Sequence, residues 1–369
     1  MESITYVSPR YPPYIGGVET HVSELTTRAS ARFRRVSVVT TDPSGGLPST
    51  QSLGNGSTIF RVRSFAPGGN YHFPMSASFV KILRACRSRI LHLHSIHDVP
   101  GPLAAILESK SGSSIVFTPH FHGKFSSSLG ELFFEASRPV LGMVVDRVDC
   151  IICVSRFEAG IMGEAFPGSA EKIKVIPNGV DSELLSQYSW SPPASPRILF
   201  VGRLEKYKNV DKILTAFAVL KEKHSSLKLT IVGRGPVKEE LLSQAGQLKL
   251  GSSVEWLEGL KKHELYELYE SSTMFVLPSY LEAYGIVVAE AAAVGTPAIV
   301  ANSSALSEFV TAGLATPVEP PVETEKLVDA MSLVLENPKS HSSKSKASDM
   351  IQSWDDVATK TFETYRSLL

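Results

Sequence analysis

Short apolar runs of three to six residues recur along the chain, separated by longer stretches of mixed polarity. Runs at 4–8, 36–40, 90–93, 115–118 and 150–154 are rich in β-branched residues and predict strands. Between them, apolar positions spaced three and four apart at 18–28 and 76–86 predict helices. Strands that alternate with helices argue for a parallel sheet built from βαβ units. The Pro/Ser-rich stretch 188–196 interrupts the pattern and reads as a linker. The alternation then restarts, with strands expected at 198–201, 227–232, 254–257, 274–278 and 298–300. The expected architecture is α/β: two Rossmann-like, doubly wound domains, 1–187 and 195–350, facing across a cleft. Residues 336–349 are polar and Ser/Lys-rich, suiting a loop or a solvated helix. Beyond them Ile351, Trp354, Val357, Ala358, Phe362, Tyr365 and Leu368 share one helical face. A helix over 351–369 must bury that stripe, and a return to the first domain is the expectation.

Composition narrows the function classes. With 369 residues and 43% hydrophobic content the chain can bury two cores, and its formal net charge of zero gives no sign of nucleic-acid binding. The three cysteines are Cys86, Cys150 and Cys153. Cys150-Ile-Ile-Cys153 lies inside an apolar strand-like run, where positions three apart face opposite ways, so a redox pair is not expected. An odd, low cysteine count fits a reducing compartment. The N-terminus lacks the basic and apolar regions of a signal peptide, and no apolar run reaches a membrane span without a charge. A soluble, cytoplasmic protein is expected.

The candidate chemistry lies where strands end. At 282–290 the chain reads Glu-Ala-Tyr-Gly-Ile-Val-Val-Ala-Glu, between an apolar strand and a small-residue helix. Such a turn points free backbone N–H groups and the positive helix end outward, which suits a phosphate. The carboxylates of Glu282 and Glu290 border it, so a ligand carrying both phosphates and hydroxyls fits. Gly16 and Gly17 follow the first strand and permit close backbone approach, although a plain tight turn explains them equally. Arg203 and Lys208 follow another strand and could neutralise a diphosphate, ordinary solvated charge being the alternative. His92, His94, His97, His120 and His122 cluster in sequence, but no Cys or Glu set completes a metal-site pattern. No Asp-x-Asp occurs to hold a Mg²⁺–diphosphate. No metal or other cofactor is therefore expected, and a single His at the cleft, bonding or moving a proton, is favoured.

Taken together these segments resemble the retaining, GT-B-fold glycosyltransferases of family GT4 (glycosyl transferases group 1). The resemblance covers nearly the whole chain in order. It runs through Pro-Pro-Tyr-Ile-Gly16-Gly17-Val-Glu, Thr-Pro-His120-Phe-His-Gly, Val-Ser at 154–155 and Ile-Pro-Asn-Gly-Val-Asp at 176–181. It continues through Val-Gly-Arg203-Leu with Lys208, Ile-Val-Gly-Arg-Gly-Pro at 231–236, and the Glu282-x7-Glu290 motif. Asn209 stands where the family often has Gly, and Tyr207 adds bulk beside it.

The resemblance implies a donor that is a nucleotide-diphosphate sugar, a transferred hexose-type sugar and a hydroxyl acceptor. It gives Glu290 the ribose hydroxyls, Glu282 the hydroxyls of the transferred sugar, and Arg203 and Lys208 the diphosphate. Backbone N–H groups around Tyr284, Gly285, Ile286 and Val287 would hold the distal phosphate, with Gly16 and Gly17 closing from the first domain. Leu260, after Gly259, would meet the base, and His120 the sugar near its anomeric carbon. The Gly/Ser/Pro-rich stretch 44–69 carries no motif and falls to acceptor recognition. The segment 76–89 sets Lys81, Arg84, Arg87 and Arg89 beside Phe79, Ile82, Leu83 and Cys86. It suits a solvated surface helix, or a peripheral contact with the inner face of a membrane and a lipid-linked acceptor. Two other classes stand beside this reading. A catalytically silent scaffold is disfavoured by the intact charged pairs. A nucleotide-dependent oxidoreductase is disfavoured by the missing Gly-x-Gly-x-x-Gly.

Overall fold

The computed structural model describes residues 2–66, 72–108, 112–123, 128–342 and 351–369. The chain divides into two compact units, one of residues 1–178 with 354–369, the other of residues 179–353. In unit 1 the strands are β1 (Ser3–Val7), β2 (Arg35–Asp42), β3 (Thr50–Ser52), β4 (Thr58–Phe65), β5 (Phe73–Pro74), β6 (Ile90–His94), β7 (Ser114–Thr118), β8 (Cys150–Cys153) and β9 (Ile173–Val175). They form one sheet in the order β3-β4-β2-β1-β6-β7-β8-β9, with β5 also on β4. All neighbours are parallel except β3 and β5, which run antiparallel to β4.

Unit 2 contains β10 (Gly179–Val180), β11 (Arg197–Val201), β12 (Lys228–Val232), β13 (Val254–Leu257), β14 (Met274–Leu277), β15 (Ala298–Ala301), β16 (Thr316–Val318) and β17 (Gln352–Ser353). Six of these form an all-parallel sheet, β13-β12-β11-β14-β15-β16, and β10 pairs with β17. The strand order reverses between β11 and β14 in unit 2 and between β1 and β6 in unit 1. Ligands of doubly wound sheets bind at such switch points, beyond the carboxyl ends of the strands.

Helices cover these sheets, so their strands are buried on both faces and read as unbroken apolar runs. Strands β6, β8, β14 and β15 are buried at every position. Cys150 and Cys153 are free and buried in β8. The motif-poor stretch after Asp42 is less plain. Strand β4 carries Arg61 and Arg63, which hides its apolar pattern. Arg61 is nonetheless buried, because it donates to the Pro12 carbonyl and to Gln51 Oε1.

The division at 178/179 falls before the Pro/Ser-rich stretch 188–196 rather than within it. That stretch is tied into unit 2: the Trp190 backbone N–H donates to the Val294 carbonyl and its indole N–H to the Ser272 carbonyl. The chain re-enters unit 1 at Trp354. The helix Trp354–Ser367 buries Trp354, Val357, Ala358, Phe362 and Tyr365, and Arg28 of the helix Gly17–Ala29 pairs with Asp355. Of the polar stretch 336–349, residues 343–349 lie outside the described residues, and Pro338–His341 forms a 3-10 turn.

Candidate functional site

The switch point of unit 2 is built by the loops after β11 and β14. The first makes a 3-10 turn at Lys206–Lys208 and ends on Asn209, whose φ of 54° is left-handed. Asn tolerates that backbone better than most residues. Its side-chain amide also donates to the Pro278 carbonyl at 2.8 Å, tying this loop to the end of β14. Lys208 is thereby directed at Glu282, and its ammonium donates to Oε1 of that carboxylate. Both side chains are mostly enclosed, at 11% and 15% exposure. Burial alone would lower the Lys208 pKa, but the Glu282 carboxylate outweighs it and the pKa is raised. Lys208 is therefore cationic at neutral pH.

The second loop ends at Gly285, with φ 109° and ψ 57°, and opens the helix Ile286–Val294. A Cβ here would stand 2.8 Å from Leu306 Cδ2, so glycine is required on both counts. No side chain caps this helix, and no acid occupies its first turn. Its first N–H groups have no intrahelical partners and form a positive terminus. Tyr284 packs its ring on Phe309 with centroids 5.4 Å apart. One turn further on, Glu290 accepts from Tyr266 at 3.2 Å and from Tyr269 at 3.3 Å. Burial pushes the Glu290 pKa up to about 7, against the lowering effect of those hydroxyls.

Tyr266 and Tyr269 stand on the helix Lys262–Glu270, just after the loop with Gly259 (φ 68°) and the half-buried Leu260. The loop bearing Arg203 is packed against the one after β12. A Cβ on Gly233 would lie 1.8 Å from the Gly202 carbonyl oxygen, and one on Gly235 2.2 Å from that of Leu204. Arg203 itself is the more open cation at 37% exposure, paired with Glu205 at 2.7 Å. Unit 2 thus gathers Arg203, Lys208, Glu282, the N-terminus at Gly285 to Val287, and Glu290.

In unit 1, Gly16 precedes the helix Gly17–Ala29 in an extended conformation. A Cβ there would meet the Glu19 carboxylate at 2.4 Å. Glu19 is buried at this terminus and paired with Arg10 at 2.7 Å. His120 follows β7 with φ 50° and is buried. The next N–H, of Phe121, donates to Glu158 Oε1 at 2.6 Å, and that of Val154 donates to Oε2 at 2.5 Å. Burial pushes the Glu158 pKa up to about 8 despite those donors. Glu158 thereby pins the turn that sets His120.

The two halves of the chain match two family models. Residues 15–184 match Glycosyltransferase Family 4 and residues 183–350 match Glycosyl transferases group 1. The chain belongs to the family 4 glycosyltransferases. It is 29% identical to a glycogen synthase of Mycobacterium tuberculosis, over 98% of this chain and 94% of that one. It is 26% identical to a D-inositol 3-phosphate glycosyltransferase of Acidothermus cellulolyticus, over 81% of this chain and 73% of that one. The fold matches a sucrose-phosphate synthase from Thermosynechococcus elongatus with TM-score 0.82 at 19% identity, covering 100% and 99% of the two chains. It also matches Anabaena HepE in complex with UDP and glucose, with TM-score 0.74 at 18% identity over 99% of each. The fold is GT-B, and the enzyme is a nucleotide-sugar glycosyltransferase.

Within this family frame, several structural partners carried no motif. Tyr266 and Tyr269 support Glu290, and their i, i+3 spacing in a polar helix was the available signal. Glu158 and His21 act through contacts 37 and 157 residues distant in sequence, which no local pattern reveals. Over 76–89, Phe79, Leu83 and Cys86 are buried while Lys81, Arg84, Arg87 and Arg89 are exposed, so the apolar stripe is already packed. No helix among the described residues is long and apolar enough to cross a membrane.

Proposed function

We propose that this glycosyltransferase moves a hexose-type sugar from a nucleotide diphosphate to a hydroxyl acceptor, with retention at the anomeric carbon and no required metal. The observation that carries the reading is the Lys208–Glu282 pair beside the uncapped helix terminus at Gly285, at the switch point of unit 2. The anomeric C–O bond breaks as the acceptor oxygen attacks on the same face. The acceptor's proton passes to the departing diphosphate oxygen. Negative charge grows on that diphosphate, and preorganised cations and backbone dipoles aimed at it lower the barrier. Arg203 and Lys208 supply the cations, and the N–H groups of Ile286 and Val287 the dipoles. Glu282 would exchange part of its bond to Lys208 for hydroxyls of the transferred sugar. Glu290, oriented by Tyr266 and Tyr269, takes the ribose hydroxyls, and Leu260 lies toward the base. On unit 1, His120 is given the sugar, and Gly16 and Gly17 approach the donor.

The relatives support the substrate class. Solved structures of this fold hold UDP with glucose, and ADP with acarbose. Relatives are named for glycogen and for inositol 3-phosphate. The test is a panel of nucleotide sugars, with and without EDTA, read as diphosphate release and donor binding. Turnover with one donor, unchanged by EDTA and lost in Lys208→Ala and Glu290→Ala, is the expected result. Binding of no donor would move the case to a silent scaffold.

A lipid-linked acceptor is the second reading. Phe65, Phe73 and Met75 are exposed just before the basic helix Ser76–Ala85. Flotation with anionic vesicles, lost in the Phe65→Ser/Met75→Ser variant, would support it. Equal flotation of both proteins would count against it.

A further inference from the structure

Three imidazoles of unit 1 converge that the sequence does not pair. His21 comes from the helix Gly17–Ala29, His94 from the end of β6 and His120 from the turn after β7. One nitrogen of each lies within 4.8 Å of the other two, and all three rings are buried. His21 Nδ1 meets Asn178 Oδ1 at 2.6 Å. An amide oxygen only accepts, so Nδ1 carries the proton and the lone pair sits on Nε2. That Nε2 is buried with no hydrogen-bond partner. Nδ1 of His94 and Nε2 of His120 stand 3.4 Å apart. Two nitrogens bound tetrahedrally at about 2.0–2.1 Å have nearly that separation, about 3.3–3.4 Å.

We propose that His21, His94 and His120 form a site for a late first-row divalent cation of the zinc type, with the fourth position open. Three imidazoles without a carboxylate disfavour Mg²⁺ and Ca²⁺, which take oxygen ligands. Asn178 supplies the outer hydrogen bond that orients a ligating histidine. His92, with its ring 4.2 Å from that of His94, is not a ligand. Its nitrogens are already bonded to Tyr365 and Thr118. His97 and His122 stack on each other as a separate pair, 4.5 Å between centroids. Turnover does not need this ion. By engaging His120 the ion takes the imidazole assigned to the sugar, so it inhibits. That consequence rests on the proposed function, whereas the binding does not.

The test is titration of the metal-stripped, full-length protein with Co²⁺ alone. Visible d–d bands of a four-coordinate ion should saturate at about one equivalent and be displaced by Zn²⁺. His21→Gln and His94→Gln should lose them, Asn178→Ala should weaken binding about ten- to a hundredfold, and His122→Gln should retain it. Circular dichroism melting establishes that each variant is folded. No bands, or bands equally strong in the His21→Gln/His94→Gln double variant, would overturn the site and leave only an adventitious surface ion. In a turnover assay Zn²⁺ should slow the wild type and not His94→Gln. Absence of turnover altogether would sink the donor reading, while the cobalt titration still decides the site.

Discussion

Lys208 and Glu282 need each other in the resting protein, and the proposed reaction uses both. Replacing Lys208 by Ala removes the cation that the proposed reaction assigns to the leaving group and strands a carboxylate that is mostly enclosed. A loss on the order of 10²–10³ in kcat is expected from the missing electrostatic donor, with a lowered melting temperature from the stranded charge. Single-turnover kinetics with saturating donor would separate the two effects. An unchanged kcat would remove Lys208 from the leaving-group role. Glu290 makes a pH-dependent claim. Its pKa is raised to about 7, so the ionisation that its proposed role toward the ribose hydroxyls calls for is completed only above neutrality. Donor affinity should therefore rise as pH increases from 6 to 8, and Glu290→Gln should flatten that rise. Stability has the opposite sign. The folded pKa exceeds the ordinary carboxyl value of 4.5, so the folded state holds the proton longer. This carboxyl's contribution falls as pH climbs from that value through about 7 and is level beyond. A donor Kd independent of pH in the wild type would contradict the assignment.

Elements position these residues through close backbone contacts that only glycine permits. Gly233 brings the loop after β12 against the loop that carries Arg203, with no room for a Cβ at 1.8 Å from the Gly202 carbonyl oxygen. Its φ of 151° adds a second penalty for any side chain. Gly233→Ala should therefore displace the Arg203 loop and weaken donor binding more than Gly246→Ala, whose Cβ would meet nothing within 4 Å. Calorimetric donor titration of the two variants checks this, and equal affinities would refute it. Much of this site was legible in the sequence because its parts lie at strand ends, where motif and topology coincide. Arg203, Lys208, Glu282 and Gly285 sit at the ends of β11 and β14, strands that their apolar runs announce. What stayed hidden depends on packing between distant segments. Tyr266 reaches Glu290 across 24 residues and His21 reaches Asn178 across 157. The histidines that cluster in sequence regroup in space for the same reason. His94 meets His120, and His97 stacks on His122, so each neighbour in space comes from a different strand end.

At the scale of the whole chain, the two-sheet architecture was legible because buried parallel strands are apolar at nearly every position. The division point was not, because the Pro/Ser-rich stretch that looks like a linker is held in unit 2 by Trp190. The chain instead passes between units at 178/179 and 353/354, beside the paired strands β10 and β17. The final helix thus belongs energetically to unit 1 although 175 residues of unit 2 precede it. Tyr365 is the point where this dependence is sharpest. It is fully buried, and its hydroxyl bonds His92 Nδ1 at 2.6 Å. His92 is kept neutral by burial and spends its other nitrogen on Thr118. Tyr365→Phe keeps the ring's packing and deletes only the hydroxyl, leaving a buried imidazole nitrogen unsatisfied. The expected cost is about 1–3 kcal/mol, or roughly 2–4 °C of melting temperature per kcal/mol for a unit of this size. Unit 2 contains neither residue, so protection of its amides against hydrogen exchange should not change, while amides of β1, β6 and β7 should exchange faster. Equal loss of protection in both units would mean that they unfold as one, and that the last helix is not a private part of unit 1.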